Sequence, residues 1–198
     1  MKAFYTDDVI FMLDMLNIPW MECPAGFDAE QIAAFSTNDR NIFGKRMDYV
    51  LTPDADTLLF GAKKLIKRDV RKKKLYEYDL RNILDTHKIT QDDLIKIGLI
   101  LGTDFAKKTP GIGPKTVIKK FRSITLSDDQ VLAYNNNFKR KLTKAELDNI
   151  HVNNNDTEPF TDPIKYKQML DWLQLCKNYN RERVKKQFNK QNLFVEVV

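Results

Sequence analysis

Two stretches decide how this chain is read: Leu101-Gly102-Thr103-Asp104-Phe105 and, shortly after it, Gly111-Ile112-Gly113-Pro114-Lys115. The first closes an apolar helix on a carboxylate, and Thr90-Gln91-Asp92-Asp93 caps that helix at its start. The second is a turn whose glycines permit positive φ and whose amides, at the head of a helix over 115–121, suit an anion. Pro114 fits the first helical turn, where its missing N–H costs little. Upstream, a further acidic pair stands in Thr52-Pro53-Asp54-Ala55-Asp56, just before Leu58-Leu59-Phe60-Gly61. Carboxylates that suit a metal, beside a backbone phosphate cradle, point to chemistry on nucleic acid.

Composition sets the frame. The 198 residues suit one domain, 42% hydrophobic residues supply a core, and 30% charged residues leave a polar surface. The net charge of +6 favours a polyanionic partner and is a weak signal alone. Cys23 and Cys176 lack metal spacing and read as free thiols, and His87 and His151 form no cluster with them, which argues against zinc. No apolar run is long enough for a bilayer and the N-terminus lacks signal-peptide architecture, so a soluble, intracellular protein with no membrane partner is expected.

Along the chain, a helix is expected from Thr6 to Leu16, a short strand at Trp20–Cys23, and a helix over 27–35. Ser36 to Lys45 reads as a loop and Met47–Leu51 as a buried strand. A short helix follows from Thr57, then a hairpin over 63–78 with Arg71-Lys72-Lys73-Lys74 as a solvated tip, and a helix over 79–84. Asn135-Asn136-Asn137 and Asn153-Asn154-Asn155-Asp156 read as loops, Pro159 and Pro163 as punctuation, and 164–175 and 181–188 as helices. Trp20 and Trp172 are expected in the core. Strands alternating with helices give the α/β class.

Phosphodiester hydrolysis needs an activated water and neutralised phosphate charge, which two divalent ions about 4 Å apart supply. Magnesium takes oxygen ligands, so such sites are built from Asp and Glu. Asp54 and Asp56, two apart at a strand end, face the same way if the chain there is extended. Read in isolation, the same residues serve as turn and cap acids and Asp104 as a loop acid. An isolated Gly-x-Gly-Pro is likewise more often a plain turn.

In order and separation these pieces resemble the flap endonuclease and XPG family of structure-specific 5′ nucleases. The resemblance is carried by Val50-Leu51-Thr52-Pro53-Asp54-Ala55-Asp56-Thr57-Leu58-Leu59-Phe60-Gly61 and by Leu99-Ile100-Leu101-Gly102-Thr103-Asp104-Phe105. Asn17-Ile18-Pro19-Trp20 with Pro24 resembles the segment before the family's Glu-x-Glu pair. Two registers are open there. One puts Gly26 and Asp28 in the acidic positions. The other, preferred because it keeps the pair and aligns Ala33 and Ala34 with small residues, puts Asp28 and Glu30 there.

The resemblance implies a partial PIN-like α/β sheet sandwich, with a helix–two-turn–helix over about 90–121 inside an internal nuclease region at 1–126 and a helical C-terminal extension at 127–198. It implies that Asp28, Glu30, Asp54, Asp56 and Asp104 hold two magnesium ions, with manganese as a substitute. Gly111, Gly113, Lys115, Thr116, Lys119 and Lys120 would grip duplex backbone, with a potassium ion held by main-chain carbonyls of the turn. Arg181, Arg183, Lys185 and Lys186 resemble the basic helix that closes the family core. The implied activity is metal-dependent cleavage of branched or flapped DNA in replication and repair, in the nucleus if the source is a eukaryote. The match runs over about 9–121 and again over 164–188. The family's N-terminal half, which supplies two further metal-binding Asp residues, a central strand and a helical arch, has no counterpart before Val9. A split nuclease completed by a second chain, a fragment, and a shortened member all fit, the last leaving a non-catalytic DNA-binding or assembly module as the alternative function.

Overall fold

The computed structural model describes residues 6–38, 42, 44, 46–150, 152–153, 163–177 and 179–190. In chain order the elements are α1 (Thr6–Met15), β1 (Trp20–Met21), α2 (Ala29–Ser36), β2 (Val50–Leu51), α3 (Asp56–Leu59), β3 (Lys64–Asp69), β4 (Lys74–Asp79), α4 (Leu80–His87), α5 (Gln91–Leu101), α6 (Pro114–Lys120), α7 (Asp128–Ala133), α8 (Lys144–Asp148), β5 (Val152–Asn153), α9 (Pro163–Lys177) and α10 (Arg181–Lys190). The expected α/β class is what the chain adopts. It divides into two compact units, one made of 1–22 with 151–198 and the other of 23–150.

In the first unit, Met12 and Met15 of α1 and Leu16 just after it pack on Tyr166, Met169, Leu170 and Leu173 of α9. β1 and β5 pair antiparallel, with Trp20 opposite Asn153. Asp14 Oδ1 accepts from Trp20 Nε1 at 2.7 Å and from Asn153 Nδ2 at 2.6 Å. Trp20 and Trp172 are half-buried rather than core residues. An indole needs a partner for its N–H, and Trp20 finds it in a carboxylate. Asn153 is a strand residue, not part of a loop. Arg181 is paired with Asp171 and Lys185 with Glu182, so part of the basic charge of α10 is already matched. The other loop residues expected here, Asn154-Asn155-Asp156 and Pro159, lie outside the described residues, as do His151 and much of the 36–45 loop.

The second unit is built on β2–β3–β4. β2 runs parallel to β3, with Val50 opposite Leu65, and β4 returns antiparallel. The ladder takes only Val50 and Leu51 of the strand expected from Met47. Among the described residues β2 pairs with β3 alone, and Leu51 is 69% exposed. The Val70–Lys73 tip is exposed, as its charge implies.

α5 is the central helix of this unit. Thr90 and Asp93 form the expected capping box, each side chain accepting from the other's backbone N–H at 3.1 Å. Its buried Ile95, Leu99 and Ile100 face two clusters, one with Leu59, Ala106 and Ala133, the other with Val117 and Phe121. Gly98 lets α3 come close, since a Cβ there would stand 2.6 Å from a Leu59 methyl. α7 is followed not by a loop but by a π-helical turn over Tyr134–Phe138, so the three asparagines are helical. Asparagine is a poor helix former, and the packing of Phe138 overrides that preference.

Gln130 of α7, 2% exposed, fixes the end of α5. Its Nε2 donates to Leu99 O at 2.8 Å, Lys107 O at 3.0 Å and Thr109 Oγ1 at 3.2 Å. Its Oε1 accepts from Ser127 N at 3.1 Å. Gln130→Ala should lower unfolding free energy in urea by about 3 kcal/mol, because buried carbonyls lose their donor. Leu132→Ala, at a position 60% exposed on the same helix, should stay within about 0.5 kcal/mol of wild type.

Candidate active site

Asp54 and Asp56 lie just beyond the C-terminal end of β2, in its parallel pair with β3. That edge is where open α/β sheets place their sites. Thr52 N donates to Ile66 O at 3.3 Å and extends the ladder to the lip of the turn. Asp54 N then donates to Thr52 Oγ1 at 3.1 Å, and Asp54 Oδ1 accepts from Asp56 N at 2.9 Å. The two acids are thus not side by side on an extended strand. Asp54 instead accepts from the first N–H of the short helix α3, whose N-cap position is Ala55 and whose first residue is Asp56.

Asp28 is a cap. It precedes α2 with extended backbone, and its Oδ1 accepts from Glu30 N at 2.9 Å. This cap is why α2 begins at Ala29 and not at Phe27. Gly26, the other candidate for the acidic position, has φ +81°. That left-handed backbone favours a glycine there. Asp104 forms a two-residue turn with Phe105 between Thr103 and Ala106, which exchange backbone hydrogen bonds at 3.0 and 3.3 Å.

These three segments bring the five acids into one electrostatic neighbourhood. Asp56 is pushed up to about 6, first by burial and then by the charges of Asp54, Asp104 and Asp28. Glu30 is raised chiefly by a hydrogen bond with the Asp28 carboxyl, then by burial and by the charges of Asp28 and Asp54. The Cys23 thiol, donating to Phe27 O at 3.3 Å, is also raised, by burial and then by Asp28 and Glu30. A raised thiol is a poor nucleophile.

Packing holds the acids together against their repulsion. Phe60, at the end of α3, and Phe105, next to Asp104, meet edge to face at 5.9 Å. Phe138 stacks on Phe60 at 4.9 Å and meets Phe105 at 5.7 Å. Gln91 Nε2 donates to Leu58 O and Leu59 O at 3.0 and 2.8 Å, tying α3 to the start of α5. Sequence reading picked out neither Phe138 nor Gln91 for this role, since neither lies in an acidic motif.

The donor set is carboxylate oxygen throughout, which fits a hard divalent cation, and the raising of Asp56 and of Glu30 by neighbouring carboxylates is what a bound cation would relieve. Among the described residues, no three of His, Cys, Asp and Glu close around one point. The cluster is therefore open, and the fit is to ions that keep part of their water shell.

Gly111 (φ +73°) and Gly113 have open space beyond their Cα atoms, and Gly113 is the N-cap of α6, with Pro114 at its first turn. Lys115, Thr116, Lys119 and Lys120 are all exposed. No side chain caps this helix.

Residues 17–104 match the XPG I-region family. Over that segment the chain is similar to the XPG family. Flap endonuclease 1 of Nanoarchaeum equitans (strain Kin4-M) is 32% identical over 132 residues, 60% of this chain and 37% of that protein. Among solved structures, flap endonuclease-1 from Methanococcus jannaschii aligns with a TM-score of 0.70 at 22% identity over 96% of this chain and 59% of the other. The catalytic core of Rad2 in complex with a DNA substrate aligns at 0.54 and 18% over 95% and 68%. The two structures are likenesses of fold. The chain spans roughly a third to a half of the flap endonucleases it matches.

The Asp56 shift has a consequence for stability. An acid whose folded pKa is raised destabilises the fold once ionised, so its contribution is most favourable below the usual carboxylate range and is lost as pH rises through about 6. In metal-free buffer, Asp56→Asn should melt a few degrees above wild type at pH 7.5, on the order of 1 kcal/mol after discounting for partial solvent exposure. The gap should close as pH falls from about 6 towards 4. Thermal scans across that window check it, and an equal gap at every pH would refute it.

Proposed function

We propose that this chain carries the catalytic acids of a metal-dependent, structure-specific 5′ nuclease acting on branched or flapped duplex DNA in replication and repair. The observation that supports it most is the convergence of acids from three segments at the C-terminal edge of β2, within a stretch that matches the XPG I-region. Asp28, Glu30, Asp54, Asp56 and Asp104 would hold two magnesium ions, or manganese in their place. Bound there, the ions supply an activated water and offset charge on the scissile phosphate.

The chain's own residues do the rest. Asp54 and Asp28 each spend one oxygen on a backbone N–H, so each presents its carboxylate from a fixed rotamer. Asp104 enters from a tight turn braced by Phe105. The proton held by Asp56 below about pH 6 would oppose cation binding, so activity should rise through that range. Away from the acids, the turn at 109–116 receives the duplex backbone. Its glycines leave room for a phosphate, and Lys115 and Lys119, four apart on α6, add charge on one face. Such contacts hold DNA without reading its sequence. Carbonyls of the same turn would take the potassium ion.

A second reading, a DNA-binding or assembly module without cleavage, is favoured by the openness of the acid cluster. Labelled 5′-flap DNA with magnesium separates the two. Under the nuclease reading wild type cuts, Asp54→Asn/Asp56→Asn cuts at least ~100-fold more slowly, and the double variant still binds. Binding without cleavage favours the module. Cleavage restored only by a second polypeptide carrying the remaining length of the relatives identifies a split enzyme. On either reading, Lys115→Ala should weaken duplex binding and reduce the slope of log affinity against log salt by about 1. Affinity indifferent to both salt and Lys115 would remove DNA as the partner.

A further inference from the structure

We propose that Arg140 is a positioning residue for the acid pair Asp28 and Glu30, gripping from far along the chain the turn on which both are mounted. The inference rests on the nuclease reading above. Arg140 Nη1 donates to Gly26 O at 2.6 Å across 114 residues of sequence. Its guanidinium lies 3.9 Å from the centre of the Phe27 ring. Nη2 donates to Glu146 Oε1 at 2.7 Å. Glu146 is itself anchored, its Oε2 accepting from Thr143 N and Thr143 Oγ1, each at 2.8 Å, in the capping box of α8. The guanidinium is therefore held from behind while it holds the turn in front.

What it holds is the launching point of α2. Gly26 takes a left-handed conformation, and a Cβ there would come within 3.3 Å of Arg140 Nη1. Two residues on, Asp28 caps the helix, and Glu30 sits in its first turn. A second tie runs in parallel, from Gln31 Nε2 to Asn137 O at 2.9 Å. The carboxyl end of the acid pair is thus suspended from the 137–146 segment at two points. Arg140 acts through backbone and ring. The neighbouring charges that bear on Glu30 are Asp28 and Asp54. A planar fork serves a carbonyl, a carboxylate and a ring face in one fixed geometry, which a lysine ammonium, a single point charge on a flexible stem, reproduces only in part.

The test compares wild type, Arg140→Ala and Arg140→Lys as full chains. Three quantities are read: Mn²⁺ binding by electron paramagnetic resonance, duplex affinity against salt in chelator, and amide hydrogen exchange over 26–32. Arg140→Ala should weaken Mn²⁺ binding by about tenfold or more and speed exchange at Glu30, Gln31 and Ile32. Duplex affinity and its salt slope should not change. Arg140→Lys should restore part of both losses. If Arg140→Ala instead weakens DNA binding and flattens the salt slope with Mn²⁺ affinity intact, Arg140 is a backbone contact and the proposal is overturned. Unchanged exchange over 26–32 overturns it as well. If wild type itself binds no Mn²⁺, the nuclease reading is what fails, and the exchange data alone decide for or against Arg140. Should Arg140→Ala not fold, Glu146→Gln loosens the same guanidinium from behind, and the same pattern in weaker form is expected.

Discussion

The amide of Gln130 is the joint on which the functional end of the molecule depends. Its two hydrogens reach Leu99 O at the end of α5 and Lys107 O and Thr109 Oγ1 on the far side of the Asp104 turn. One buried side chain thereby closes the loop that carries an acid and sets the point from which the glycine turn departs. A hydrogen bond between neutral groups adds modestly to stability, but buried carbonyls left without a donor are costly. That asymmetry ties the acid and the turn to one another, so neither moves without exposing the other's unpaired backbone.

Against this joint stands a cost inherent in the site. Five carboxylates near one another repel, and burial makes Asp56 hold its proton to about pH 6. The fold accepts that strain because apolar packing lies directly beneath it. Phe60, Phe105 and Phe138 form a mutual cluster joining the segment after Asp56 to the turn at Asp104. Local conflict of this kind, over-determined by its surroundings, is where natural proteins depart from the rules that otherwise make a sequence foldable.

How much of this was legible follows from the range of each interaction. The acids of the Asp54–Asp56 and Asp104 motifs and the glycine turn stand out because each is a local pattern with recognisable flanks. The Thr90–Asp93 capping box was legible for the same reason, being complete within four residues. The extended geometry expected for Asp54 and Asp56 fails because Asp54 bonds the next turn of its own backbone, which periodicity does not reveal. Gln130, Phe138 and Arg140 left no trace because their partners lie far off in sequence, Gly26 being 114 residues from Arg140. A polar or aromatic residue on a short helix carries no mark of the distant carbonyl or ring it will meet. The asparagine run misled for a related reason, since composition records local preference and Phe138 is held by tertiary stacking.

The π-helical turn at Tyr134–Phe138 makes that part of the chain sensitive to length as well as to identity. Each residue of an α-helix advances the direction of the next by about 100°, and a wider turn accommodates one residue more over the same rise. Adding one residue to the three asparagines would leave composition almost unaltered yet swing Phe138 out of its stack, since the turn is already wide. The segment beyond would enter from the wrong bearing. Exchanging the same asparagines for other polar residues keeps the phase. In this stretch the spacing of the chain carries information that its side chains do not, and relatives that vary freely in letters there should still keep the count.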